Sequence, residues 1–173
     1  MENNNQNIDP DEQLRLGMHQ WASGVGVAAT EYEGQKFGLT VSSFTSISVE
    51  PPVVLISVNK TSQAHEPILK SGKFGVTLLA EDQQRISDRF AGRVDQDRGR
   101  FEGLDTFTLQ TGSPFITGGV SVFDCEVMDT YDTGTTTVIY GKVVAAQLME
   151  LPEDGKRPLL YYYQGYRKLA EGS

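Results

Sequence analysis

The chain has few of the residues that carry disulfide, metal and nucleic-acid chemistry. It contains one cysteine, Cys125, and two histidines, which excludes an intrachain disulfide and leaves too few ligands for any zinc spacing. No run of Lys or Arg is present, and the formal net charge of −8 disfavours partners with phosphate backbones or anionic lipid surfaces. We therefore expect no metal, no nucleic acid and no membrane among its partners.

Membrane and export signals are also lacking. No stretch approaches the roughly 20 apolar residues of a membrane helix. The Asn-rich residues 1–7 lack the basic and apolar regions of a signal peptide. The sequence predicts a cytoplasmic protein with a flexible tail at residues 1–8 and a single domain over residues 9–173. Cys125 lies in strand-like alternation and is interpreted as a buried thiol.

The remaining patterns are those of a β-rich domain. Residues 9–12 predict a helix start, with Asp9 as the cap, and Leu14, Met18 and Trp21 form an apolar face expected to pack in the core. Two further short helices are predicted near residues 66–70 and 82–90. Strands are predicted near residues 25–29, 37–41, 53–58, 74–79, 107–111, 120–131, 137–148 and 159–163. Many strands with turn signals and few helices favour a closed antiparallel barrel over a βαβ sheet.

A dinucleotide-binding motif is apparent but does not fit its context. Residues 24–29 match G-x-G-x-x-A, which binds pyrophosphate only between a strand and a following helix. Here a predicted helix precedes the motif, and alternation of period two runs through it. We interpret these small residues as part of a tightly packed strand.

Hydroxyl side chains crowd residues 40–62, between two apolar strands. Ser and Thr donate and accept hydrogen bonds, as the carbonyl oxygens and N5 of a flavin ring require. Lys60 supplies a cation, and Thr61 and Ser62 supply hydroxyls at a helix start, where phosphate is favoured. Barrel strands and turns of ordinary composition would explain the same residues, so this pattern alone leaves both readings open.

The segment T-V-S-S-F-T-S-I-S-x-x-P-P, followed by L-I-S-V-N-K-x-S, resembles the flavin reductase-like family. The later F-G-V-T-L-L, R-F and P-L-L-Y-Y segments resemble the family in order and spacing, so the similarity covers roughly residues 14–169. The resemblance implies a mainly β fold, the FMN-binding split β-barrel with Greek-key antiparallel strands and a few short helices. It also implies a homodimer.

The resemblance also implies a function. Members pass a hydride from NADH or NADPH to FMN, with FAD as the alternative, and the reduced flavin diffuses to a partner monooxygenase. Because the flavin supplies the redox chemistry, no catalytic side chain is assigned. The residues expected to bind the flavin are Thr40, Val41, Ser42, Ser43, Phe44, Thr45, Ser46, Ser57, Asn59, Lys60, Thr61, Ser62 and Phe90.

One position departs from the family pattern. Many relatives carry a His where Thr136 stands, facing the nicotinamide, so Thr136 and Tyr161 are the expected nicotinamide-side residues. His65 is expected at the surface or near the phosphate. The alternatives are a protein of the same fold that retains its flavin, as a ferric reductase or electron carrier, and a barrel without a cofactor.

Overall fold

The structure is a computed structural model, and it describes residues 9–95, 97, 99–149 and 157–170. The predicted tail at residues 1–8 lies outside the described residues. The described helices are α1 (Pro10–Met18), α2 (His65–Ser71) and α3 (Gln84–Phe90). The strands are β1 (Ser23–Gly24), β2 (Gly26–Tyr32), β3 (Gln35–Val41), β4 (Thr45–Ser48), β5 (Val53–Asn59), β6 (Lys73–Leu78), β7 (Thr106–Thr108), β8 (Pro114–Ile116), β9 (Ser121–Asp132), β10 (Thr136–Leu148), β11 (Leu160–Tyr162) and β12 (Gly165–Arg167).

Seven of the strands form one antiparallel sheet in the order β3-β2-β6-β9-β10-β5-β4. Its two end strands, β3 and β4, follow each other in the chain and are joined by residues 42–44 only. A smaller sheet has the order β1-β11-β12, and β7 pairs with β8. The predicted mainly β, antiparallel architecture with a few short helices is confirmed.

The G-x-G-x-x-A match lies on strands, as interpreted from the sequence. Gly24 ends β1, and residues 26–29 of the match lie in β2, which continues to the turn before β3. No helix follows the motif before that turn, so it cannot place a helix N-terminus at a pyrophosphate.

Two apolar clusters form the core. One lies within the seven-stranded sheet around Phe74, Ile56 and Ile139, and the other lies beneath α3 around Phe90 and Leu159. Close approach of aromatic rings requires glycine in the sheet. A Cβ atom at Gly75 would lie 2.5 Å from the Phe115 ring, and one at Gly141 would lie 2.5 Å from the Phe74 ring. Cys125 is fully buried in the first cluster, and burial raises the pKa of its thiol to about 12.

The prediction that Leu14, Met18 and Trp21 pack in the core is wrong. These side chains are 66%, 53% and 66% exposed, and α1 contains no buried residue. The helix itself was predicted correctly, with the Asp9 carboxylate accepting a hydrogen bond from the Asp11 N–H. Within the described part of the chain, no other layer covers this apolar side, which we call the exposed α1 face (Leu14, Met18 and Trp21).

None of the helices in the described part of the chain is long and apolar enough to cross a membrane.

Candidate functional site

A groove of about 650 Å³ lies between the end of α1, β1, residues 42–45 and β11, and we call it the outer groove. Small side chains and backbone form much of its surface, at Ala22, Ser23, Gly24 and Ser42. Its remaining lining residues are Arg15, Met18, His19, Trp21, Ser43, Phe44, Thr45, Tyr161 and Gln164. Pockets of about 300–1,000 Å³ are typical of sites for small organic ligands and cofactors.

Residues 42–45 are held in place by two contacts to the sheet. Ser43 Oγ accepts a hydrogen bond of 2.9 Å from the Ser57 N–H and donates one of 3.2 Å to the Ser57 carbonyl oxygen. Phe44 packs against Phe123, with ring centroids 5.1 Å apart. With these two side chains engaged by the sheet, Ser42 and Thr45 stay exposed beside the groove.

The opposite wall comes from a distant part of the chain. Tyr161 pairs with Ser23 across the β1–β11 ladder, and the Tyr163 N–H donates to the His19 carbonyl oxygen. The Tyr166 ring meets the Tyr161 ring edge-on, with ring centroids 5.5 Å apart. The Arg93 guanidinium lies 5.8 Å from the centroid of the Tyr161 ring. A hydrogen bond with Tyr161, opposed by partial burial, raises the pKa of Arg93. The Tyr161 ring is therefore held between Tyr166 and Arg93.

A smaller cavity of about 170 Å³ lies behind the outer groove and shares Ser42 and Tyr161 with it. Thr40 Oγ1 donates to the Ser87 carbonyl oxygen over 2.6 Å. The Tyr166 hydroxyl donates to Ser87 Oγ at 2.9 Å or Asp88 Oδ1 at 2.8 Å, and burial raises its pKa. The lining residues are Val25, Thr40, Ser42, Ser87, Ala91, Arg93, Tyr161 and Tyr166.

Residues 59–62 form a turn after β5, which we call the 59–62 turn. Asn59 Oδ1 accepts hydrogen bonds from the Thr61 N–H at 2.9 Å and the Thr61 hydroxyl at 2.8 Å. Lys60 Nζ donates to both carboxylate oxygens of Asp132 at 2.7 Å, and this contact lowers the pKa of Asp132. Ser62 Oγ accepts from the Ala64 N–H at 3.3 Å. The predicted cation is thus present, but a carboxylate already neutralises part of its charge.

The structure brings several predicted site residues together. Ser42, Ser43, Phe44, Thr45 and Tyr161 line the outer groove, and Thr40 lines the smaller cavity. The residues of the 59–62 turn follow directly on β5, whose Ser57 holds Ser43.

Other predicted residues are placed elsewhere. Val41 and Phe90 are 4% and 1% exposed and belong to the core, because alternation along β3 and the inner side of α3 turn them inward. Ser46 is exposed on β4, opposite Val54.

The two expected nicotinamide-side residues are apart in the fold. Thr136 pairs with Asn59, beside the 59–62 turn, whereas Tyr161 lines the outer groove. His65 Nε2 lies 2.8 Å from Thr137 Oγ1, so a histidine is present next to the strand opening although Thr136 is not one. Among the described residues, Thr136 lines neither the outer groove nor the smaller cavity, both of which contain Tyr161.

Sequence reasoning missed the α1 side of the outer groove. Arg15, Met18, His19 and Trp21 line it, and the only signal was an apolar helical face that equally predicts core packing. Arg93 was missed because nothing in its local sequence distinguishes it from the other charged residues of an irregular loop.

Comparison with known proteins adds a family and named relatives. Residues 18–170 match the family described as flavin reductase like domain. The reductase subunit HsaB of a flavin-dependent monooxygenase from Rhodococcus jostii is 37% identical, over 92% of this chain and 77% of its own length. The NADH-dependent flavin reductase StyB from Pseudomonas fluorescens is 36% identical, over 88% of this chain and 86% of its own.

Solved structures agree with the predicted split barrel. The flavin reductase PheA2 superposes with a TM-score of 0.84 at 30% identity, over 95% of this chain and all of its own chain. The NADH:FAD oxidoreductase SgcE6 from Streptomyces globisporus also has a TM-score of 0.84, at 28% identity, over 95% of this chain and 97% of its own. The split-barrel fold is thereby confirmed.

Proposed function

Because this chain belongs to the flavin reductase-like family, we propose that it is an NADH-dependent flavin reductase that supplies reduced flavin to a separate monooxygenase. Relatives named as monooxygenase reductase subunits and as NADH-dependent flavin reductases support this function. The structural observation that carries it is the outer groove, in which residues 42–45 face Tyr161 and Trp21 across small side chains.

The residues of this groove fit a flat, polar-edged ring. Ala22, Ser23 and Gly24 leave space that larger side chains would fill, and a Cβ atom added at Gly24 would meet nothing within 4 Å. Ser42 and Thr45 supply hydroxyls at one edge, and Tyr161 and Trp21 supply apolar ring surface at the other. We assign the isoalloxazine to this groove, held along residues 42–45.

We assign the flavin phosphate to the 59–62 turn. Lys60, Thr61 and Ser62 supply a cation and hydroxyl donors there. Lys60 is bound to Asp132, so a phosphate has to share or displace that carboxylate. This competition favours moderate rather than tight binding, which suits a flavin that has to leave after reduction.

In this proposal the flavin, when bound, accepts a hydride from the nicotinamide. The chain contributes by positioning the flavin and the nicotinamide relative to each other. Residues 42–45 fix one edge of the outer groove, and Tyr161, held by Arg93 and Tyr166, fixes the other. Holding two reactants in one groove would make their reaction effectively unimolecular, which would remove much of the entropic barrier.

We also propose that two copies associate as a homodimer and act in the cytoplasm. The exposed α1 face supports association, because apolar side chains of this size are seldom left in water together.

The first test is NADH consumption followed by absorbance, with no flavin, with FMN and with FAD. We expect turnover that depends on added flavin, and a colourless protein after desalting. Yellow protein that survives desalting and shows no NADH consumption would contradict the reductase and leave a flavin-retaining carrier.

A second test concerns the phosphate assignment. Asp132→Asn should release Lys60 and tighten FMN binding by about two- to fivefold, in line with an exposed ion pair. Lys60→Gln should weaken FMN binding, and Glu66→Gln, which removes the exposed pair with Lys70, is the matched control. Flavin fluorescence gives the Kd. Equal Kd values for all variants would place the phosphate elsewhere.

A further inference from the structure

A second cleft, of about 490 Å³, lies beside the 59–62 turn and collects positive charge in an otherwise acidic chain. Among the described residues, three cationic side chains line it, from β3, from α3 and from the loop after α3: Lys36, Arg89 and Arg100. We call it the basic cleft. Because its cations are dispersed along the sequence, the cleft could not be predicted from a run of Lys or Arg. Its other lining residues are Phe37, Gly38, Gln63, Gly92, Val94, Asp95 and Gly99.

The three cations donate to oxygen atoms that carry no charge. Lys36 Nζ donates to Thr106 Oγ1 at 2.9 Å. Arg89 donates to the carbonyl oxygens of Gly99 and Glu102 at 2.6 and 2.7 Å. Arg100 donates to the carbonyl oxygens of Gly38 and Phe90 at 2.8 and 2.6 Å. These contacts orient the side chains without neutralising them, unlike the contact of Lys60 with Asp132.

The acidic residue among the described lining residues, Asp95, has a cation of its own outside the lining. Asp95 is bound by the Arg85 guanidinium, with Arg85 Nη2 2.9 Å from Asp95 Oδ1. The Arg100 guanidinium is part-buried where it donates to the Gly38 and Phe90 carbonyl oxygens, and this burial lowers its pKa. Charges that are less screened by water attract an anion more strongly.

One donor at the cleft wall lacks a partner. Arg89 Nε is buried and has no hydrogen-bond acceptor within the described part of the chain. A buried donor left unsatisfied is unfavourable, so an anion oxygen that reached it would add a charge-assisted hydrogen bond.

The position of the basic cleft connects it to the flavin phosphate. Gln63 lines the cleft and directly follows Ser62, so the cleft begins where the 59–62 turn ends. The cleft shares no lining residue with the outer groove. If the first phosphate of a ligand binds at the 59–62 turn, the part of the ligand beyond that phosphate would therefore enter the basic cleft.

We propose that the basic cleft binds the adenosine diphosphate group of FAD, which makes FAD rather than FMN the preferred flavin of this chain. This assignment rests on the proposed function and deepens it. In this assignment Lys36, Arg89 and Arg100 form ion pairs with the pyrophosphate. The adenine packs on the half-buried Phe37 ring. NADH carries the same adenosine diphosphate group, but the cleft adjoins the phosphate turn and not the outer groove, which favours FAD.

The test measures Kd for FAD and for FMN by flavin fluorescence, in the full chain and in two variants. Lys36→Gln removes one cation of the cleft, and Lys70→Gln removes an exposed lysine paired with Glu66 on α2 as the matched control. We expect Lys36→Gln to weaken FAD binding about fivefold and to leave FMN binding unchanged within about twofold. Lys70→Gln should change neither value. Added ADP should displace FAD but not FMN.

Two results would overturn the assignment. One is a Lys36→Gln variant that binds both flavins as the parent chain does. The other is an increase in the KM for NADH, measured with FMN, without a change in the Kd for FAD, which would assign the cleft to the dinucleotide. FMN reduction by NADH in the parent chain is the separate control, because it tests the reductase function whether or not the basic cleft binds FAD.

Discussion

The core around Phe115 and the exposed α1 face both contain large apolar side chains but differ in what surrounds them. Phe115 is fully buried and meets the backbone of Gly75 so closely that a Cβ atom there would lie 2.5 Å from its ring. Trp21 is 66% exposed and borders a groove. Apolar residues thus stabilise the fold in one region and form a binding surface in the other. Substitutions should therefore affect unfolding in the first region and association or ligand binding in the second.

The largest expected effect is truncation of a core ring. Phe115→Ala should lower the free energy of unfolding by about 3–5 kcal/mol, because it removes buried apolar area and leaves a cavity. Denaturant unfolding measures it, and Phe115→Leu should cost clearly less. A loss of less than about 1 kcal/mol would mean that the core is not packed as described.

A smaller effect should follow from adding one methyl group. Gly75→Ala should cost about 1–3 kcal/mol, because the Phe115 ring and Ser113 have to move away from the new Cβ. Gly24→Ala is the matched control, since nothing lies within 4 Å of its Cβ position. Gly24→Ala should unfold like the parent chain but weaken flavin binding by narrowing the outer groove. Equal destabilisation by the two variants would contradict the contrast between the regions.

The buried thiol gives a pH-dependent test of the core. Burial raises the pKa of Cys125 from its ordinary value to about 12, so the thiol is neutral in the folded state at a pH where the unfolded chain ionises it. Its contribution to stability is therefore complete below about pH 9 and is lost as the pH rises toward 12. Unfolding at several alkaline pH values measures this loss. Cys125→Val should lack this part of the decline; an identical decline in both proteins would contradict the burial.

The smallest expected effect on unfolding is at the exposed α1 face. Trp21→Ala should change the unfolding free energy of dilute protein by less than about 0.5 kcal/mol, because the side chain is already in water. It should instead reduce self-association in sedimentation velocity and weaken flavin binding. Thr45→Ala is a comparison on the opposite wall, expected to affect flavin binding alone. A large loss of stability with Trp21→Ala would mean that α1 belongs to the core after all.

Much of the fold could be predicted from sequence, because long strands carry strong apolar patterns. The continuous run in β5 and the alternation in β9 and β10 placed those strands correctly. The short strands β4, β8 and β12 have three or four residues and too few alternations to identify them. The exposed α1 face could not be separated from a core face, since periodicity reports an apolar side and not what covers it.

The candidate site also contains residues that could be proposed from sequence and residues that only the fold brings together. Contiguous residues such as 42–45 and 59–62 could be proposed as site residues from the sequence, because their chemistry is concentrated in a short segment. The basic cleft combines Lys36, Arg89 and Arg100, which are far apart in the chain, and only the fold brings them together. Phe90 shows the converse, because its neighbour Arg89 faces a cleft whereas Phe90 itself turns into the core.

The two-residue ladder between β1 and β11 has a consequence for local stability. It supplies one wall of the outer groove through only two residue pairs, Ser23 with Tyr161 and Gly24 with Leu160. So short a ladder can open without unfolding the seven-stranded sheet, and its amide protons should exchange with solvent earlier than those of β9 and β10. A ligand that needs the closed wall has to favour that state, so bound flavin should slow exchange in this ladder first.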